Sequence, residues 1–178
     1  LEPIVEDRVR RRLSLITTVE EQIAREFITR DRTRDPIHGP IDEEIIRVNF
    51  HCNQACEFCF VSTHLPPPGH DAVLSAIIGA TARGARVVLS GGEPTLNPRL
   101  VEYIRLATRP DLPALQLQTN AVRLSDEALA GALYEAGLRE AFVSLHGASA
   151  ETSDTITRAP GTFARTLVGV DNLHRLGV

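Results

Sequence analysis

Ile45-Ile46-Arg47-Val48-Asn49-Phe50-His51-Cys52-Asn53-Gln54-Ala55-Cys56-Glu57-Phe58-Cys59-Phe60 is a short β-branched run that passes at once into three cysteines at positions 52, 56 and 59. The run has the length and composition of a buried parallel strand. Three more such runs follow at Ala85–Ser90, Ala114–Thr119 and Ala141–Leu145, each separated from the next by a segment of helical period and by Gly, Pro, Ser or Asn. Alternation of this kind is the mark of βα units on a parallel sheet.

The intervening segments carry helix signals. Val73, Ile77 and Ala80 share one face, with Leu74 and Ile78 beside them; Asn97 is placed to cap a helix opened by Pro98 with Leu100, Val101, Ile104 and Ala107 as its stripe. Ser125 is expected to cap the next helix, with Leu129, Leu133 and Ala136 inward and Gly137 as its stop. Phe163, Leu167, Val170 and Leu173 then give the apolar stripe of a fourth. Residues 1–44 read differently, as an accessory segment with helices over Ile4–Leu13 and Val19–Thr29, the second behind a capping box of Thr18 and Glu21. The Gly39-Pro40 turn leads from it into the core at 45–178.

The 178 residues, 43% hydrophobic and 24% charged, suffice for one substantial core. A net charge of −4 argues against a nucleic-acid or anionic-membrane footprint; the one dense basic run, Arg8 with Arg10, Arg11 and Arg12, reads as a solvated helix face. With no apolar stretch of about 20 residues and no signal-peptide apolar region, the expectation is a cytoplasmic protein. All the cysteines fall within eight residues, which suits a reducing compartment. The chain opens on Leu1, contains no Met and stops where a fifth strand would begin, so the reading expects a piece truncated after the fourth βα unit.

Soft thiolates at this density select zinc or an iron–sulfur cluster. A closed zinc site needs a fourth ligand, for which only His51, His64 and His70 stand near. Three thiolates on a four-iron cluster leave one iron open to a further ligand. At this point the sequence resembles the radical S-adenosylmethionine (radical SAM) superfamily, in the branch of cofactor-biosynthesis and peptide-maturing enzymes. The family motif has three cysteines at this spacing with an aromatic residue before the last, here Phe58.

The resemblance implies a partial (β/α)6 TIM-like barrel, a 4Fe–4S cluster on Cys52, Cys56 and Cys59, and S-adenosylmethionine chelating the open iron. It further implies reductive cleavage to methionine and a 5′-deoxyadenosyl radical that abstracts hydrogen from a small-molecule or peptide substrate, with flavodoxin or ferredoxin as electron donor. Ser90-Gly91-Gly92-Glu93-Pro94 is similar to the family's methionine-binding motif, whose glycines admit close backbone approach and whose Glu93 adds an acceptor for an ammonium. Asn120 matches the strand-three Thr-Asn ending. Ser144 and His146 stand where relatives place polar groups near the ribose and carboxylate, with histidine replacing the usual acid. Asp154, Arg158, Gly161 and Phe163 match the entry to the next helix, and the resemblance assigns Arg158 to the cofactor carboxylate. The competing reading is a binding domain merely stabilised by zinc or by a structural cluster. The loop Val61–His70, stiffened by Pro66, Pro67 and Pro68, is expected to cover the cluster.

Overall fold

The structure, a computed structural model, describes residues 18–35 and 39–178. The expected helix Ile4–Leu13 and the basic run at Arg8–Arg12 lie outside the described residues. Residues 18–27 are helical (α1). The chain then continues as β1 (Ile28–Asp35), β2 (Gly39–Asn49), α2 (His70–Ala82), β3 (Arg86–Gly91), α3 (Leu100–Ala107), β4 (Gln116–Thr119), α4 (Glu127–Glu135), β5 (Glu140–Val143), α5 (Ala150–Thr157) and α6 (Thr162–Leu176). One five-stranded sheet in the order β1-β2-β3-β4-β5 joins the strands; β1 runs antiparallel to β2 and the other neighbours are parallel. This is an open α/β sheet of partial-barrel type.

Strand β1 departs from the all-helical reading of residues 1–44, and β2 begins before position 45. The sequence Ile-Thr-Arg-Asp-Arg-Thr-Arg-Asp offers no apolar alternation. Its pairing is decided by its partner: Ile28 faces Ile46, and Arg30 and Arg32 face Glu44 and Asp42, each closing an ion pair at 3.4 Å. Cross-strand pairs of opposite charge stabilise an edge strand modestly, and the charge row discourages pairing with another chain.

The period-2 alternation of the parallel strands sorts their side chains to two faces. Ile46, Val48, Val87, Leu89 and Leu117 pack with Val73, Ile77 and Ala80 of α2, Leu100 and Ile104 of α3, and Leu133 of α4 in one buried cluster. Ile78, expected beside the packed face of α2, is exposed. The opposite face mixes polar side chains with Val88 and Phe142. At the strands' N-terminal ends Arg86 donates through Nη1 to Glu43 at 3.3 Å, pairs with Glu140, and donates through Nε to the Ala114 carbonyl at 3.0 Å, while Gln116 donates to Glu140 at 2.6 Å. This is a charged floor on the face away from the helices. At the C-terminal ends, Ser90, Gln118 and Phe142 on that same face border a cavity.

Two caps differ from expectation. A 3-10 turn, Pro94–Leu96, precedes α3; Asn97 stands outside the helix, accepting from Arg99 N at 2.9 Å and donating to the Val48 carbonyl at 2.7 Å. Asp126, not Ser125, caps α4, accepting from Ala128 N and Leu129 N. The carboxylate lies one residue nearer the helix start, and Ser125 spends its hydroxyl on the Val122 carbonyl. The stretch after β5 holds two helices, and the expected stripe of α6 is only partly inward: Leu173 is buried with Thr166, Gly169 and Asn172, while Leu167 and Val170 are exposed. The reason is close packing on the turn Val122–Ser125. Thr166 donates to the Asn120 carbonyl at 2.9 Å and Asn172 to the Leu124 carbonyl at 2.8 Å, and a Cβ on Gly169 would come within 2.2 Å of the Ala121 carbonyl oxygen. Small and hydrogen-bonding residues at 166, 169 and 172 fit this close approach.

Candidate active site

The cavity, about 310 Å³, opens at the C-terminal ends of the parallel strands, where such sheets place their ligands. Cys52, Cys56 and Cys59 border it from the loop after β2, with Phe58 and Phe60 beside them. Gly91 and Gly92 border it from the end of β3, Gln118, Thr119 and Asn120 from β4, and Phe142, Ser144 and His146 from β5. Among the residues singled out from sequence, Glu93 and Arg158 do not line it.

The three cysteines are free thiols. Cys52 Sγ accepts from Gln54 N at 3.4 Å and from Asn120 Nδ2 at 3.8 Å. Burial pushes the Cys52 thiol up to about 11, with the charges of Glu93, Cys56 and Cys59 adding to it against the Gln54 N–H. Burial and Cys59 likewise raise Cys56. Thiolates crowded in this way are stabilised by a cationic metal group that takes up their charge. The donor set fits a cluster. All three cysteines border one cavity, and three soft thiolates are the donor type that iron–sulfur clusters take. None of the three candidate zinc histidines lines the cavity. His51 Nδ1 lies 3.3 Å from the Thr63 carbonyl, and His70 contacts Tyr103 Oη at 3.0 Å.

The cysteine loop has no regular secondary structure and is tied down on two sides. Toward α5 and α6, Ala55 N donates to the Thr157 carbonyl at 2.9 Å, Gln54 Nε2 to Thr162 Oγ1 at 3.2 Å, and Arg158 pairs with Glu57. Arg158 therefore faces the outside of the loop. Its position is set by the αL conformation at the end of α5, and by Asp154, which accepts from Gly161 N at 2.6 Å and Phe163 N at 2.9 Å. Toward α1, Glu26 accepts from Ser62 N at 3.0 Å and Ser62 Oγ at 2.6 Å.

Gly91 and Gly92 are required by the protein itself. A Cβ on Gly91 would stand 2.1 Å from the Asn49 carbonyl oxygen, and one on Gly92 would stand 2.2 Å and 2.4 Å from those of Phe50 and His51. The end of β3 thus lies flat against the exit of β2, joined by Gly92 N to Asn49 O at 2.9 Å and Glu93 N to His51 O at 2.8 Å. Glu93, expected as an acceptor for an ammonium, is 0% exposed and aims away from the cavity. Its Oε1 accepts from Thr95 N (3.0 Å), Thr95 Oγ1 (2.6 Å) and Thr119 Oγ1 (2.7 Å), and its Oε2 from Asn120 N (2.8 Å). Burial raises its pKa, opposed by these hydrogen bonds. His146 meets Phe58 edge-on, with ring centroids 4.8 Å apart. Sequence reasoning missed Asn49, whose amide donates to the His51 and Glu93 carbonyls at 3.1 Å and 3.2 Å, and also Gln118 and Phe142. Alternation counted back from Ser90 along paired strands would have found the last two.

The fold and the cavity define an α/β sheet with a thiol-rich site at its strand C-termini. A profile of the radical SAM superfamily matches residues 46–178, and the chain belongs to that family. Its members bind a 4Fe–4S cluster and S-adenosylmethionine. The chain is 35% identical over 133 residues to a GTP 3′,8-cyclase of Moorella thermoacetica, covering 70% of this chain and 41% of the relative. It is 36% identical over 129 residues to an AdoMet-dependent heme synthase of Methanosarcina barkeri (70% and 36%) and 31% identical over 134 residues to a mycofactocin maturase of Mycobacterium ulcerans (73% and 36%). The chain spans less than half the length of these relatives. Among the described residues no helix is long and apolar enough to cross a membrane.

Proposed function

We propose that this chain forms the cofactor-cleaving part of a radical SAM enzyme, with Cys52, Cys56 and Cys59 as cluster ligands. Carrying this reading is the common cavity that the three cysteines share with Gly91, Gly92 and Asn120. When bound, the reduced cluster and S-adenosylmethionine supply a 5′-deoxyadenosyl radical that takes hydrogen from the substrate.

The chain's own residues hold the site. The two tethers fix the cysteine loop, and Asn120 Nδ2, donating to Asn53 Oδ1 at 2.7 Å, holds that loop against the end of β4. Phe58, Phe60 and Phe142 give the cavity an apolar border that is itself open to solvent, and Ser144, His146 and Gln118 supply polar groups for a bound cofactor. No Asp, Glu, Lys or Arg lines the cavity, so among the described residues its wall supplies no formal countercharge to the cofactor's sulfonium, ammonium and carboxylate. The substrate is a small molecule or a peptide, and a flavodoxin- or ferredoxin-type protein donates the electron.

Anaerobic reconstitution should yield a brown protein with about four irons per chain, and dithionite with S-adenosylmethionine should release 5′-deoxyadenosine. Each of Cys52→Ala, Cys56→Ala and Cys59→Ala should abolish cluster assembly. Stoichiometric zinc without that product, or a single alanine variant with full iron, sinks the proposal.

A further inference from the structure

Glu93 is a fully buried carboxylate, and among the described residues no cation pairs with it. Its four donors come from two segments, Thr95 after β3 and Thr119-Asn120 at the end of β4. A carboxylate buried in a fold without a counter-ion persists only where donors replace its hydration, and here donors reach both oxygens. The segment it grips bears on the site. Asn120 N is held by Glu93, Asn120 O by Thr166, and Asn120 Oδ1 by Val122 N at 3.1 Å, leaving Nδ2 directed at Asn53 and Cys52 Sγ. The Glu93 backbone is fixed as well, its N–H on the His51 carbonyl and its carbonyl on Asn49.

We infer that Glu93 is a positioning residue: its side chain locks the β3 and β4 exits together and so aims Asn120 at the cysteine loop, without touching the cofactor. The inference rests on the radical SAM reading only for what Asn120 is aimed at; the lock itself belongs to the cofactor-free chain. Glutamine in place of Glu93 keeps the shape, but whichever way its amide turns, its NH2 meets a backbone N–H, of Thr95 or of Asn120. Thr119 gives a second handle, because Thr119→Val removes the donor to Glu93 and the acceptor of Ala121 N while Thr119→Ser keeps both.

The test uses the whole chain in two states. In cluster-free protein, Glu93→Gln should speed amide exchange at Thr95 and Asn120 at least tenfold, with Leu89 and Leu117 unchanged. In reconstituted protein it should weaken S-adenosylmethionine binding at least tenfold with iron content retained. Thr119→Val should move both readouts the same way and Thr119→Ser should restore them, which covers a Glu93→Gln chain that does not fold. Unchanged exchange at Asn120 in the folded variants overturns the inference. Weakened cofactor binding with unchanged exchange also overturns it, since that is the pattern of a carboxylate touching the ammonium. Wild type that never cleaves the cofactor, yet shows the exchange difference, refutes the radical SAM reading and leaves the lock standing.

Discussion

Replacing Gly92 by alanine isolates the contact on which the cavity's geometry depends. The added Cβ would sit 2.2 Å from the Phe50 carbonyl oxygen and 2.4 Å from that of His51, both backbone atoms that no rotamer change can move aside. Relief requires the exits of β2 and β3 to part by about 1 Å, and forced overpacking of this kind costs about 1–3 kcal/mol. That parting also stretches Gly92 N to Asn49 O and Glu93 N to His51 O, now 2.9 Å and 2.8 Å. At about 1 kcal/mol net for each hydrogen bond, the total reaches roughly 3–5 kcal/mol. For a chain of this size that lowers the melting temperature by about 6–20 °C. Gly131→Ala is the control: it lies within α4 with nothing within 4 Å of the added methyl. Alanine there should stabilise by about 0.5–1 kcal/mol. Thermal unfolding followed by circular dichroism reads both. A Gly92→Ala protein melting within about 2 °C of wild type would falsify the claim that the glycine is dictated by the β2 exit.

Other outcomes follow from the loop's surroundings. Arg158→Ala removes an exposed ion pair and should change stability by less than about 1 kcal/mol; because the side chain lies off the cavity, calorimetric S-adenosylmethionine affinity should stay within twofold, and a tenfold loss would return Arg158 to the cofactor. The backbone N–H groups of Phe163 and Gly161 hold the Asp154 carboxyl below its ordinary value. The stability it contributes is present above the ordinary aspartate pKa and is lost as pH falls through the depressed one. Asp154→Asn should therefore lower the melting temperature at neutral pH, with the gap to wild type closing as the pH is lowered through that range; a pH-independent gap contradicts the assignment.

The sequence exposes the parts of this fold that repeat and hides those decided by a distant partner. The four parallel strands were legible because each is a short extended run between helices of regular period, and the cysteines and the Gly-Gly pair because of their fixed spacing and their place at strand ends. Strand β1 was hidden, since its charged side chains find their reason only in Glu44 and Asp42 across the ladder. The inward face of α6 was partly hidden for a related cause: Thr166, Gly169 and Asn172 are chosen by carbonyls at 120, 121 and 124, and apolar periodicity finds Leu173 alone of the buried set. Glu93 was noticed as a residue, but the partners of its side chain were not. Nothing local distinguishes a carboxylate offered to a ligand from one consumed by Thr95, Thr119 and Asn120.

The tethers of the cysteine loop also order its assembly in time. Glu57 reaches Arg158 across 101 positions and Gln54 reaches Thr162 across 108, whereas the Glu26–Ser62 tie spans 36. Closing so long a stretch of chain is entropically costly and waits on the docking of everything between. The α1 side can be secured early, but the loop takes its final shape only when α5 and α6 have arrived. The three cysteines therefore sit on a loop whose shape depends on contacts with chain more than a hundred positions away.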